Sequence, residues 1–259
     1  MLALGGKRTL PNAVFQALTA HPGHHLMCDL GESVMIQKIA ALTLVVAQAT
    51  AADPLTEAAL NTLRASIAEA KGAQSALPPP QTDQERLERM GAIDQAARQG
   101  LWKAMANVPP PERGRVRRAL WPEVRAIDLE NQEQLLTMVP EEGWFRKSRY
   151  GDDAAASAFL VVQHGDETLW ERFLPILADL VPSGEVAGSE YAMMYDRLQM
   201  TRDQPQRYGT QMTCPYGTGQ WTLWRLEDAE RVDEFRASVG LGPVAEYVDS
   251  FKTGAPPTC

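Results

Sequence analysis

A chain of 259 residues, 44% hydrophobic and 22% charged, has the make-up of a soluble globular protein long enough to bury a core. Its 33 Asp and Glu against 25 Lys and Arg give a net charge of −8, which argues against a phosphate-tracking, nucleic-acid-binding surface. No apolar run reaches the roughly 18 residues of a membrane span, so none is expected.

The first patterned stretch begins at Met35, where the chain reads MIQKIAALTLVVAQATAADP. Lys38 precedes the apolar run Ile39 to Ala47, and Ala49-Thr50-Ala51 supplies small residues two apart. Charge, apolar run and cleavage pattern in that order predict a signal peptide over 35–51. Residues 1–34 then read as an upstream extension ahead of the true start at Met35. The expected location is periplasmic or secreted if Met35 starts the chain, and cytoplasmic otherwise. Three of the four histidines, His21, His24 and His25, fall before the cut, which leaves His164 alone. Neither a multi-histidine metal site nor any cofactor is therefore expected. Cys214 and Cys259 also remain, paired as a disulfide in an oxidising compartment and free thiols in the cytosol.

The expected fold is mainly α, a single helical domain with a small β-hairpin towards its C-terminal third. Residues 52–81 form an N-terminal helix and a Pro-rich linker, and 82–259 form the main domain. Asp53-Pro54 opens the first helix, and Pro78-Pro79-Pro80 stiffens the linker. Thr82 with Glu85 predicts a capping box for a second helix carrying Leu87, Met90, Ile93, Ala97 and Leu101 on one stripe. At the helical advance Asp94 lies only about 40° from Met90, inside that stripe. Arg98, four residues on, is its obvious ion-pair partner. Another helix is expected to restart at Trp121-Pro122 and run to Val139. Asp128 and Asn131 fall inside its apolar stripe, as Asp94 does on the previous helix. Buried carboxylates on two helices imply a shared polar pocket or a structural hydrogen-bond network.

A third, wholly buried helix follows Gly151-Asp152-Asp153 and ends at Gln163-His164. Further helices are expected from Asp166 and from Ser183, the latter containing Asp196-Arg197. Gln206 to Met212 and Trp221 to Trp224 have strand-like content around the turn residues 215–219. A last long helix, capped by Asp228, ends at Gly240.

In order, Asp94-Gln95 with Arg98, Asp128-x-x-Asn131, Gly143-Trp144, Gln163-His164-x-Asp166, Asp196-Arg197, Gln206-Arg207-Tyr208-Gly209-Thr210-Gln211, Gly240-Leu241 and Tyr247 resemble the bacterial family called domain of unknown function 6624. The resemblance spans roughly residues 84–250. Phe145 stands where the family pattern has proline. No activity comes with the resemblance; it implies domain limits and a choice of motifs.

Two functions compete for the same residues. As an enzyme, the protein would use His164 for metal-independent acid–base hydrolysis or group transfer, oriented by Asp196 or Asp128, with Arg197 holding an anionic group. Asp94, Asn131, Gln163, Gln206, Tyr208, Thr210 and Gln211 would then contact substrate. As a binding module of the cell envelope, the same pocket would hold a small polar or anionic ligand, a sugar or a peptide. A purely structural network of His164, Asp196 and Arg197 is the third possibility. The oligomeric state has no sequence signal.

Overall fold

A computed structural model describes residues 53–215 and 220–253. The leader expected over 35–51, the extension before it and Cys259 lie outside the described residues. Among those described, helices α1 (Pro54–Ser75), α2 (Asp83–Met105), α3 (Arg113–Met138), α4 (Lys147–Tyr150), α5 (Asp152–Gln163), α6 (Glu167–Leu180), α7 (Gly188–Thr201), α8 (Val232–Ser238) and α9 (Val244–Thr253) accompany one hairpin. Its strands β1 (Met212–Thr213) and β2 (Thr222–Leu223) pair antiparallel, Met212 against Leu223. The protein is mainly α, as expected, and no described helix is long and apolar enough to cross a membrane.

Local chemistry sets the helix starts. The Asp53 carboxylate accepts the Leu55 and Thr56 amides at the head of α1. Thr82 Oγ1 accepts the Glu85 amide at 3.1 Å, while the Glu85 carboxylate accepts the Gln81 amide rather than that of Thr82. The capping box therefore forms one residue wider than its usual pattern.

Helix α3 departs from expectation, because it begins at Arg113 and carries Pro122 in its interior. Proline forfeits one backbone bond there, a loss of about 3 kcal/mol in an isolated helix. Val116, Leu120, Val124 and Ile127 keep one buried face running through it, and that packing overrides the breaker. Helix α7 likewise starts at Gly188 rather than Ser183, and the last predicted long helix is only the seven residues of α8.

Among the described residues two apolar cores result. One gathers Leu63 and Ile67 of α1, Ala97 and Leu101 of α2, and Val116 to Ile127 of α3. The other gathers Leu87 and Met90 of α2, Leu135 of α3, and the large side chains of α5, α6 and α7 with Trp144 and Phe145. Phe145, where the family pattern has proline, is fully buried and packs edge-on against Tyr150 at 5.3 Å. Gly91 lets α5 approach α2, since a Cβ there would fall on the Ser157 side chain. Asp94 of α2, between Met90 and Ala97, and Asp128 of α3, between Ile127 and Leu135, lie along the chain between buried residues of one core and buried residues of the other, and Arg98 follows one turn after Asp94. The polar groups are a seam between two cores, not an intrusion into one.

Candidate functional site

Helix α2 supplies Asp94 and Arg98, α3 supplies Asp128 and Gln132, and the end of α5 supplies His164. Arg98 is the hub. Its Nη1 donates to Asp94 Oδ1 at 2.9 Å, its Nη2 to Asp128 Oδ1 at 2.8 Å, and its Nε to His164 Nε2 at 3.1 Å. His164 Nδ1 lies 2.9 Å from Asp94 Oδ1. An Nε2 that accepts from a guanidinium carries no proton, so Nδ1 bears the hydrogen and donates it to Asp94. The imidazole is neutral and both of its nitrogens are engaged. Gln95 Nε2 donates to the other Asp94 oxygen, and Gln132 Nε2 to the His164 carbonyl.

The electrostatics follow from depth. The His164 side chain is 5% exposed, and burial, seconded by the positive Arg98, pushes its pKa below the ordinary 6.5 despite the pull of Asp94. A helix C-terminus favours imidazolium, but here desolvation wins. Burial pushes the Asp94 pKa up, but the charge of Arg98 and the hydrogen bonds from His164 and Gln95 outweigh it and hold the carboxyl below its usual value. Asp128 has one donor where Asp94 has several, and burial pushes it up. Of the two carboxylates expected to orient the histidine, Asp196 bonds elsewhere and Asp128 bonds Arg98; Asp94 does the orienting.

One ligand atom each from Asp94, Asp128 and His164 lies within 4.8 Å of the others, a spacing that suits a metal. Arg98 directs an N–H group at every one of the three. A cation at that point would have to displace a guanidinium that already neutralises the carboxylates.

A second network is built around Asp196 of α7. Its carboxylate accepts the amides of Arg207, Tyr208 and Thr210 and the Thr210 hydroxyl, at 2.8 to 3.2 Å. Burial raises the Asp196 pKa against these donors, all of which favour the charged form. Gln206 closes the same loop from inside, with Nε2 on the Gln211 and Trp224 carbonyls and Oε1 on the Gln211 amide. Gln211 Nε2 reaches the Met193 carbonyl and Thr210 Oγ1. Residues 207–210 are therefore a loop wrapped on a carboxylate, where strand was expected; Asp196 takes the amides of Arg207, Tyr208 and Thr210, and strand-like pairing is left to Gln206 and Gln211 at its two ends. Gly209 turns the loop at φ +62°, a conformation that suits glycine. Arg236 clasps it from α8 through the Tyr208 and Gly209 carbonyls, and the Tyr247 hydroxyl donates to the Thr210 carbonyl at 2.6 Å.

The two networks meet where Arg197 Nη1 donates to the Gln163 carbonyl at 3.1 Å. Burial, then the charge of Arg98, pushes Arg197 down to about 10. Gln163 Nε2 lies 3.4 Å from Met193 Sδ, and its buried Oε1 accepts no hydrogen bond among the described residues. Tyr208 packs its ring against Tyr191 and Tyr195. Asn131 stands apart from Arg98, with Nδ2 3.4 Å from the Met90 carbonyl. Cys214 follows β1; its expected partner Cys259 is outside the described residues.

Asn131 instead faces an open cleft of about 310 Å³ between α1, the linker, α2 and α3. Met90 and Ile93 give it an apolar part, and Lys71, Arg86, Arg89 and Glu130 give it charge. Sequence reading missed Gln132, Arg236 and these cleft cations. Arg236 had a signal, four residues after the buried Val232 on one face of α8; the exposed cations of α1 and α2 had none.

The model of a family of unknown function, DUF6624, matches residues 80–254. No curated protein and no solved structure matches the chain.

Proposed function

We propose that this chain, which belongs to DUF6624, is an exported binding module of the cell envelope that holds a small polar or anionic ligand without converting it. The hydrogen bonding of His164 carries this reading. A general base needs a lone pair within reach of a substrate proton. The His164 Nε2 lone pair is occupied by Arg98 Nε–H, and Arg98 is itself held by two carboxylates. The cluster has the character of a scaffold that locks α2, α3 and α5, while the cleft between α1, α2 and α3 is an open, ligand-sized volume. Ligand pockets commonly measure about 300–1,000 Å³ and combine apolar walls with a few placed polar groups.

A second reading, metal-independent acid–base hydrolysis or group transfer, has one observation in its favour. The Asp94–His164 contact at 2.9 Å is the pair that orients a catalytic imidazole. For that chemistry Arg98 must leave Nε2.

Nitrogen NMR of the imidazole decides between them, with a His164→Gln spectrum identifying the His164 signals among the four histidines. The binding reading expects a neutral Nδ1–H tautomer that persists below the ordinary imidazole pKa of 6.5 and a large loss of thermal stability in His164→Gln. A His164 that titrates near neutrality, with a variant that melts like the parent, would overturn it. Recovery of cell-envelope protein beginning near Ala52 is the expected sign of export; intact cytosolic protein beginning at Met1 counts against it.

A further inference from the structure

We infer that the cleft between α1, the linker, α2 and α3 is a site for a small hydroxylated carboxylate, the chemistry of a sugar acid. This rests on the binding reading above and names the ligand class. In a chain of net charge −8, the cleft gathers Lys71, Arg86 and Arg89 against a single acid, Glu130. These cations keep donors in hand. Lys71 Nζ gives one contact to Glu130 at 2.6 Å, and Arg86 gives Nη1 to Asp83 at 2.6 Å. Arg89 uses Nη1 and Nη2 on the Gln74 and Pro78 carbonyls, which ties the linker down as one wall. An ammonium has three donors and a guanidinium five, so a ligand carboxylate finds N–H groups without breaking any of these contacts.

Asn131 supplies the independent observation. It is 4% exposed, lines the cleft, and sits in the apolar stripe of α3. Its amide makes one long contact, 3.4 Å to the Met90 carbonyl, and its Oδ1 accepts no hydrogen bond among the described residues. An amide whose acceptor is unused and open to the cleft can take a donor from a ligand, and a hydroxyl provides one. Met90 and Ile93 offer a carbon skeleton an apolar contact. Lys71, Gln74 and Ser75 come from α1 and lie outside the residues matched by the family model. The segment before the family domain therefore completes the site and sets what it accepts.

The test is calorimetric titration of the full chain with galacturonate, with galactose as the probe lacking the carboxylate and propionate as the probe lacking hydroxyls. Saturable galacturonate binding is expected, at least tenfold tighter than either control. Amide NMR shifts should map to residues 71–75, 86–93 and 130–134. Gln134 of α3 also lines the cleft and is exposed, and Arg86 is partly exposed; Arg86→Gln and Gln134→Glu should each weaken binding at least tenfold while melting like the parent. Asn131→Asp should do the same where it folds. Absent saturation, equal binding of propionate, shifts confined to other helices, or affinity unchanged in both rim variants would each overturn the inference. None of these outcomes bears on the state of His164, so a failed cleft and a failed binding reading remain distinguishable.

Discussion

The two buried networks solve opposite problems. Around Arg98, side chains from three helices neutralise one another, and among the described residues no backbone N–H donates to them. Around Asp196, one carboxylate gathers three amides and a hydroxyl of a single loop. The first holds helices that would form anyway and fixes how they sit. The second creates a local shape that has no regular secondary structure to support it. Charge and pH should therefore act on packing through Arg98, and loop order should depend on Asp196.

Arg98→Met is the sharpest way to break this contrast. Removing one partner of a buried ion pair costs about 3–5 kcal/mol, and here two carboxylates and an imidazole lose their donor together. Urea denaturation at pH 7 should show at least that loss. The deficit should shrink at pH 4.5, where the orphaned carboxylates take up protons; a deficit independent of pH would mean that the charges were not the cause.

Asp196→Asn comes next, at about 2–3 kcal/mol, because an amide nitrogen placed among N–H donors leaves at least one of them unmatched. Its damage should be local. Hydrogen exchange should accelerate at residues 207–211 while α2 and α3 stay protected; uniform acceleration would erase the distinction between the networks.

The pH profile of the unmodified protein should come third. His164 has a folded pKa below 6.5, so below 6.5 the unfolded chain takes up a proton that the folded protein refuses. Its contribution is complete above 6.5 and declines as the pH falls towards the folded value. Asp94, also lowered, adds a loss as the pH falls from about 3.8 through its folded value, whereas the raised Asp128 acts in the opposite sense. Stability at pH 5.5 should fall below that at pH 7.5, and His164→Gln should flatten that difference. Tyr247→Phe is the mildest change, about 1 kcal/mol for one hydroxyl donated to the Thr210 carbonyl. Exchange at Gln211 should report it, and a global loss larger than that of Asp196→Asn would reverse the ranking.

The sequence by itself determined that the chain is mainly helical and marked the seam, while the starts of α3 and α7 and the length of α8 were not legible in it. Periodicity placed Asp94 and Asp128 inside apolar stripes, and the local Asp94–Arg98 spacing predicted an ion pair that the fold forms. Caps at Asp53 and Asp166 were legible because their chemistry is completed within three residues. What only the tertiary structure decided is which groups meet across helices. Arg98 joins residues 30 and 66 positions away, and Asp196 organises residues 11 to 14 positions away into a loop whose composition reads as strand. The neutral state of His164 was likewise hidden. A helix end predicts imidazolium, and only the depth of the seam and the donor facing Nε2 reverse that preference. Such contacts depend on how helices pack, and packing is settled by the two apolar cores on either side rather than by any spacing along the chain.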